Sequence, residues 1–276
     1  MESLRSAKPF ISTIDFTINF EVLITKGNYL GSVPMTTTAT ATVIVPICVG
    51  HPAFACYLAN LAYCLRSLQV QTVPFEFLVA DYGSIDPYGE QVKSLTNKYG
   101  AKYIRGEGTI WSRSRALNLG ITNATKFRTL FVDSDCVVPP EYVAQHMAAG
   151  TSNKIFTYSP VYDTDADVVR TTDTTILAKH SVGIRPEGFS HMGVPTAWLK
   201  KHNGFNEAYV GWGGEDNDLW LRLRRSGVSQ LEVPSHPYNL WHPFYGDIMA
   251  SIGKGDMFKK IRQDNRNRYF NFRDAK

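Results

Sequence analysis

The chain has 276 residues, of which 43% are hydrophobic and 20% charged, a composition that fits a soluble globular protein with one large α/β domain or two smaller ones. No run of about eighteen apolar residues occurs, so the sequence predicts no transmembrane helix. Residues Met1–Arg5 lack the charged start and apolar run of a signal peptide, and the four cysteines contain no C-x-x-C pair. We therefore expect a cytoplasmic protein with reduced thiols.

The net charge of +4 is concentrated at the C-terminal end of the chain. Residues Lys254–Lys276 contain eight basic and three acidic side chains, so the remainder is nearly neutral. A solvated helix face explains this pattern. A surface that meets an anion, such as a nucleotide diphosphate, a lipid phosphate or a membrane, is the functional alternative.

Strands and helices alternate along the first half of the chain. Residues 1–41 are expected to form an N-terminal extension, with one or two strands within Ile11–Ile24. The elements predicted after it are a strand at Thr42–Pro46, a helix at Phe54–Leu68, a strand at Phe75–Ala80, a helix at Tyr88–Tyr99, a strand at Lys102–Ile104, a helix from Arg113 that Gly120 ends, a strand at Leu130 and a helix at Glu141–Ala149. This order predicts an α/β fold with a mostly parallel sheet, whose ligands bind beyond the carboxyl ends of the strands. We place a boundary after residue 150, since residues 151–276 have more loops.

Two carboxylates follow the predicted strand at Leu130. Because side chains alternate along a strand, Asp133 and Asp135 are expected to point the same way, with Ser134 opposite. Such a pair would suit Mg²⁺ or Mn²⁺, which commonly also hold substrate phosphates. A simple turn before Pro139-Pro140 explains the same residues, and a D-x-D alone does not decide between the two interpretations.

A second acidic cluster stands eighty residues later, within Gly211–Asp218. The helix predicted after it begins with acids and ends with arginines before Gly227, as the helix dipole favours. The dipole does not explain Trp212 among three glycines, which puts a flat ring on a loop able to approach a ligand closely. Carboxylates beside such a ring suit a sugar and a proton-accepting base.

Together these motifs resemble the nucleotide-sugar glycosyltransferases of the GT-A fold, a Rossmann-like sheet flanked by helices. The segments similar to the opening of family-two enzymes are Val43–Pro46, Cys64–Leu68, Gln71–Glu76 and Asp81–Ser84, and Trp111–Gly120 is similar to the segment before their D-x-D. Gly211–Asp218 resembles the acceptor-side motif of β-1,4-galactosyltransferases, polypeptide N-acetylgalactosaminyltransferases and bacterial chondroitin polymerase. The resemblance covers roughly residues 42–245 and implies a nucleotide-sugar-binding half at 42–150 and an acceptor-binding half at 151–276.

The resemblance also implies a metal site for Mn²⁺ or Mg²⁺. Asp135 would bind the metal, and Asp133 would contact the metal or the donor ribose. His242, in Leu240–Pro243, matches the late metal ligand of the family.

Donor and acceptor roles follow from the same resemblance. Arg113 would face the nucleotide or its diphosphate, and Trp212 would line the acceptor site. Asp216 would be the general base of an inverting displacement, with Glu215 holding hydroxyl groups. The donor surface would further include Pro46, Asp81 and Tyr82. The implied partners are a nucleotide-diphosphate sugar and a carbohydrate or lipid-linked acceptor, with a peripheral membrane contact possible through the basic end and with no nucleic acid.

One position departs from the family. Its members commonly carry two adjacent acids before Gly-Ser, the second of which reads the nucleobase, whereas this chain has Asp81-Tyr82. A tyrosine can stack on a base but cannot accept its N–H as a carboxylate does. Uracil remains the preferred base.

Two other functions stay open at this level. A sugar-nucleotide nucleotidyltransferase would need arginine or lysine in the loop after the first strand, where Ile47–Pro52 has neither. A non-catalytic carbohydrate-binding relative would be expected to have lost acids that are intact here.

Overall fold

The computed structural model describes residues 41–185 and 190–275, and the expected strands at Ile11–Ile24 lie outside these ranges. The helices are α1 (Cys56–Gln69), α2 (Tyr88–Lys98), α3 (Arg113–Asn123), α4 (Tyr142–Ala149), α5 (Thr174–Lys179), α6 (Thr196–Lys201), α7 (Glu215–Arg225), α8 (Tyr245–Ser251) and α9 (Gly255–Asp274). The strands are β1 (Ala41–Ile47), β2 (Glu76–Tyr82), β3 (Lys102–Gly106), β4 (Arg128–Phe131), β5 (Cys136–Val137), β6 (Ile155–Tyr158), β7 (Val161–Thr164), β8 (Ser181–Arg185), β9 (Met192–Pro195), β10 (Ser229–Glu232) and β11 (Tyr238–Asn239).

The main sheet has seven strands in the order β10-β6-β9-β4-β1-β2-β3. All neighbours are parallel except β9, which runs antiparallel to both β4 and β6. A smaller sheet has the order β5-β11-β7-β8. The predicted α/β architecture is therefore confirmed, and the carboxyl ends of β1, β2 and β4 meet at one edge.

Strand β1 runs through the centre of the core. All seven of its residues are buried, since helices cover both faces of the sheet. Val43 and Val45 join the cluster packed under α1 and α2, whereas Ile44 joins the cluster on the opposite face with residues of α3 and α7.

Helix α3 continues beyond the residue that was expected to end it. Gly120 lies within α3, which reaches Asn123, so the prediction that this glycine ends the helix is wrong. The glycine serves packing instead, because a Cβ at this position would meet the side chain of Ile44, with Cδ1 at 2.8 Å. Only the hydrogen of glycine lets α3 come this close to β1.

A buried arginine ties several strands together. Arg128, on β4, is fully buried and donates hydrogen bonds to backbone carbonyls of Gly150 (Nε, 3.1 Å), Ser152 (Nη2, 3.1 Å), Ile155 (Nη1, 3.1 Å) and Gly193 (Nη1, 2.7 Å). Burial without a carboxylate lowers the pKa of Arg128 to about 10. All four carbonyls lie at or after residue 150, whereas Arg128 itself lies before it.

Among the helices of residues 41–185 and 190–275, none is long and apolar enough to span a membrane.

Candidate active site

The two aspartates after β4 lie in a tight turn rather than in the strand. Strand β4 ends at Phe131, and the N–H of Cys136 at the start of β5 donates to the carbonyl of Asp133 at 3.1 Å. The expected strand alternation therefore does not apply, and the two carboxylates meet different partners. Asp133 pairs with Arg113, whereas Asp135 pairs with His242. A turn and an acidic site were alternative interpretations of this sequence, and in the structure the same residues form both.

Arg113 is the centre of the larger group of charges. It begins α3, whose first turn is capped by the hydroxyl of Ser112. Its Nε lies 2.9 Å from Oδ1 of Asp133, and its Nη1 lies 2.5 Å from Oδ1 of Asp216. Glu215 follows at 3.8 Å. Burial acts to lower the pKa of Arg113, but Asp133, Asp216 and Glu215 raise it well above its ordinary value, so this guanidinium stays charged.

Glu215 and Asp216, at the start of α7, hold protons more tightly than free carboxyl groups. Burial, followed by the charge of Asp216, raises the pKa of Glu215 to about 7. Burial also raises the pKa of Asp216, although Arg113 opposes the rise. The helix dipole alone would favour ionised acids at this end, and burial outweighs it. A raised pKa makes Asp216 a stronger proton acceptor than an ordinary aspartate.

His242 and Asp135 form the second group. Nε2 of His242 lies 3.0 Å from Oδ2 of Asp135, while Nδ1 lies 2.8 Å from the carbonyl of Pro243 and 3.3 Å from the hydroxyl of Tyr57. Burial acts on both groups, but their mutual attraction is stronger: it brings the pKa of Asp135 down to about 2 and raises the pKa of His242.

This pair fits a divalent metal. A carbonyl can only accept, so Nδ1 of His242 carries a proton and directs Nε2 toward Asp135. Two lone pairs face each other there unless a cation or a proton lies between them. Adjacent ligands of an octahedral ion with bonds of about 2.1 Å are about 3 Å apart, which matches the 3.0 Å separation. Within the described ranges no group of three or more His, Cys, Asp or Glu side chains forms a fuller cage, so donor phosphates or water would complete the coordination.

The glycine-rich loop before α7 carries an accessible indole. Trp212 is 44% exposed, and the ring of Phe244 meets it edge-on with 5.8 Å between ring centroids. Gly214, with φ of 97°, precedes Glu215 in the left-handed conformation, which lets the chain turn directly from the loop into the helix.

The expected donor-base residues lie at the carboxyl end of β2 with partners of their own. Asp81 is fully buried and accepts from the hydroxyl of Tyr103 at 2.7 Å and from the N–H of Ser84 at 3.2 Å. The hydroxyl of Tyr82 lies 3.1 Å from Nη1 of Arg115. Pro46 is buried within β1, opposite Ala80.

Two residues near the acids were not predicted. His191, fully buried, has Nε2 3.8 Å from Oδ2 of Asp133, and burial lowers its pKa to about 4. Among the described residues neither of its ring nitrogens has a hydrogen-bond partner. Arg185, at the end of β8, pairs with Asp163 at 3.0 Å and adds positive charge near Asp133 and Asp135. Both residues lie more than fifty positions after Asp133 in the sequence, so no local sequence pattern predicts that they are near it.

The sheet order and the acids at the carboxyl ends of its strands define a GT-A architecture. The model of Glycosyl transferase family 2 matches residues 42–196, more than half of the chain, and that of the N-terminal domain of galactosyltransferase matches residues 188–243. The chain therefore belongs to glycosyl transferase family 2, which confirms the resemblance inferred from its motifs.

Individual relatives agree with this assignment. β-1,4-Galactosyltransferase 5 of Homo sapiens is 49% identical over 74 residues, which cover 26% of this chain. The match spans about a fifth of that relative, 19% of its length. The structure of S. aureus TarS 1-349 in complex with UDP-GlcNAc has a TM-score of 0.55 and 18% identity, covering 84% of this chain and 73% of that one.

A second solved structure shares the fold. The mannosyltransferase PcManGT from Pyrobaculum calidifontis, in complex with GDP-Man and Mn2+, has a TM-score of 0.55 and 17% identity. The comparison covers 86% of this chain and 65% of that one. At 17–18% identity these likenesses are evidence for the fold alone, and they agree with the predicted GT-A fold.

Proposed function

We propose that the protein is a metal-dependent, inverting glycosyltransferase that moves a hexose or N-acetylhexosamine from a UDP-sugar to a hydroxyl group of a carbohydrate or lipid-linked acceptor. The observation that carries this proposal is the convergence on Arg113 of two acidic segments eighty residues apart. One is the turn with Asp133, and the other is the helix start with Glu215 and Asp216. Membership of a glycosyltransferase family favours this reaction over nucleotidyl transfer.

Asp216 is the proposed base. An acceptor hydroxyl has a high pKa, and a carboxylate whose pKa is raised takes up its proton more readily than an ordinary aspartate. Because the pKa of Glu215 is about 7, this carboxyl can donate a hydrogen bond to a sugar hydroxyl or accept one from it close to neutral pH. The exposed ring of Trp212 precedes these acids on the same loop and offers an apolar face to a pyranose.

Asp135 and His242 are the proposed metal ligands. A bound divalent ion would neutralise the charge of the nucleotide diphosphate and so make it a better leaving group. The imidazole nitrogen favours Mn²⁺ over Mg²⁺. The Mn2+ complex of PcManGT supports the same metal class for this fold.

The donor base is proposed to be uracil. The TarS structure, which contains UDP-GlcNAc, supports this choice, whereas PcManGT is complexed with GDP-Man. Tyr82, whose hydroxyl accepts from Arg115, offers a ring that can stack on the base at the position where the family commonly has an acid. Cytoplasmic location and membrane contact through the basic end stay predictions.

A panel of UDP- and GDP-sugars tests the proposal. Each donor is incubated with Mn²⁺, Mg²⁺ or chelator and with methyl β-glycosides of glucose, galactose and N-acetylglucosamine, and released nucleotide is measured. We expect Mn²⁺-dependent release from a UDP-sugar, with NMR showing a β linkage formed from an α-linked donor. A retained α linkage, or release that chelator does not affect, would contradict the mechanism.

Asp216→Asn provides the sharpest single variant. It keeps the shape and removes the base, so kcat should fall by roughly two to four powers of ten while donor binding remains near normal. Asp218→Asn is the matched comparison, because Asp218 is buried on another side of α7 against Arg222 at 2.7 Å. Near-normal kcat for Asp216→Asn would remove Asp216 from this role.

A further inference from the structure

We propose that α9 is a positioning element for acceptor binding, and that Asn265 holds the Val210–Gly214 loop in the orientation in which Trp212 receives the acceptor. This inference rests on the proposed function. It gives the basic C-terminal helix a role in orienting the acceptor loop, distinct from contact with the donor diphosphate.

Asn265 makes two hydrogen bonds to the loop. Its side chain lies near the middle of α9 and is only 3% exposed. Its Nδ2 donates to the carbonyl of Val210 at 2.8 Å and to that of Trp212 at 3.2 Å. An amide nitrogen has two hydrogens, so both donors are used on the two carbonyls that flank Gly211.

The opposite side of the loop is held by the segment before α3. The N–H of Gly211 donates to the carbonyl of Trp111 at 2.7 Å, and the hydroxyl of Ser112 donates to the carbonyl of Tyr209 at 3.1 Å. Gly211 has φ of 68°, and a Cβ there would meet Cγ2 of Ile261, on α9, at 2.9 Å. The loop is therefore fitted closely between α9 and the start of the helix that carries Arg113.

The indole itself is fixed from two directions. The guanidinium of Arg262, one turn before Asn265 on α9, lies 5.2 Å from the centroid of the Trp212 ring, and Phe244 meets the ring edge-on. A cation over an indole face is attracted by its π-electrons. These contacts restrict the ring while part of it stays accessible, as a platform for a sugar requires.

The far end of α9 is anchored to the helix that bears the proposed base. Arg225, at the end of α7, donates to the carbonyls of Phe272 at 3.1 Å, Arg273 at 2.7 Å and Ala275 at 3.2 Å. The C-terminal end of α9 thus contacts the end of α7, and the middle of α9 contacts the loop that precedes α7. This arrangement makes the position of Trp212 relative to Asp216 depend on α9.

Four variants test the role of α9. Asn265→Ala removes both donors, and Asn265→Asp keeps the shape but places an acceptor against two carbonyls. Arg262→Ala removes the cation over Trp212. Asn267→Ala is the matched control, since Asn267 is exposed on the same helix and accepts a hydrogen bond from Gln263 there.

The two KM values distinguish an effect on acceptor binding from an effect on donor binding. With the best methyl glycoside of the panel, Asn265→Ala should raise the acceptor KM by roughly five- to thirtyfold, the change expected when one or two net hydrogen bonds are lost. Asn265→Asp should be worse than Asn265→Ala, and Arg262→Ala should raise the acceptor KM less. The KM for the UDP-sugar should change far less in all three, and Asn267→Ala should resemble the wild type.

Hydrogen–deuterium exchange supplies a readout that needs no turnover. The amides of residues 209–214 should exchange faster in Asn265→Ala than in the wild type and in Asn267→Ala, because the loop has lost both hydrogen bonds from Asn265. Unchanged exchange, or faster exchange with an unchanged acceptor KM, would overturn the inference. If the wild type uses no nucleotide sugar, the proposed function fails, and exchange alone then decides whether Asn265 holds the loop.

Discussion

Arg113 and Asp216 form an ion pair that joins the start of α3 to the start of α7, with Nη1 and Oδ1 2.5 Å apart. The same guanidinium binds Asp133 and lies 3.8 Å from Glu215, so one cation, whose side chain is 11% exposed, faces three acids. Burial, together with the charge of the neighbouring Asp216, raises the pKa of Glu215, so that this carboxyl keeps its proton up to a pH near 7.

Loss of Arg113 should therefore weaken the fold as well as the site. Arg113→Ala leaves the three acids without their common partner; breaking a fully buried pair costs about 3–5 kcal/mol, and we expect somewhat less here, about 2–4 kcal/mol, because the two aspartates are each 21% exposed. Denaturant unfolding at pH 8 measures the free energy of unfolding. Arg115→Ala is the control, because Arg115 is 46% exposed and its ion pair with Glu207 at 3.6 Å should contribute less than about 1 kcal/mol. Equal losses would contradict the central role of Arg113.

Glu215→Gln should stabilise the protein in a pH-dependent way. The pKa of Glu215 is about 7 in the fold and near 4.5 in the unfolded chain, so between these values the folded state binds more protons. Its contribution to stability is then lost as the pH rises from about 4.5 to 7. The variant should gain little at pH 4.5 and roughly 1–3 kcal/mol at pH 8.

Thermal unfolding of both proteins across this pH range measures the gain, while the transfer assay should show reduced activity for the variant. A gain that is constant with pH would mean that Glu215 does not titrate near 7.

Metal binding should depend on one histidine and not on its neighbour. His242→Ala removes the nitrogen that lies 3.0 Å from Asp135, and Mn²⁺ affinity should fall by at least the roughly 10- to 100-fold typical of residues that merely support a metal ligand. Electron paramagnetic resonance of free Mn²⁺, titrated with protein and UDP, measures it. His236→Ala is the control, since His236 contacts the carbonyl of Pro160 at 3.3 Å instead. Equal effects would show that the wrong histidine was chosen.

Gly120→Ala should destabilise the fold although alanine favours helices. The methyl group would meet Ile44 on β1, and overpacking of this kind costs about 1–3 kcal/mol, more than the roughly 1 kcal/mol that alanine gains in a helix. Adding Ile44→Val should recover part of the loss, and urea unfolding of the wild type, Gly120→Ala and the double variant measures both effects. A more stable Gly120→Ala protein would show that α3 can move away from the sheet.

Elements with local signals were predictable from sequence. Strand β1 was recognised because its β-branched run is buried on both faces, and α7 because acids begin it and arginines end it. Family motifs assigned Asp135 and His242 to one predicted metal site, and the structure places their side chains 3.0 Å apart. The positions of Gly120, His191 and Asn265 were not predictable, since their roles depend on contacts with residues more than fifty positions away.

The buried guanidinium of Arg128 has a consequence for how the protein melts. Its carbonyl partners lie at Gly150, Ser152 and Ile155, next to the boundary predicted after residue 150, and at Gly193 beyond it. Unfolding either the part before residue 150 or the part after it would leave the Arg128 guanidinium or its carbonyl partners without hydrogen bonds in an apolar interior. Heating should therefore give one cooperative transition for residues 41–275, and a chain cut after residue 150 should yield two fragments that fold only when they are present together.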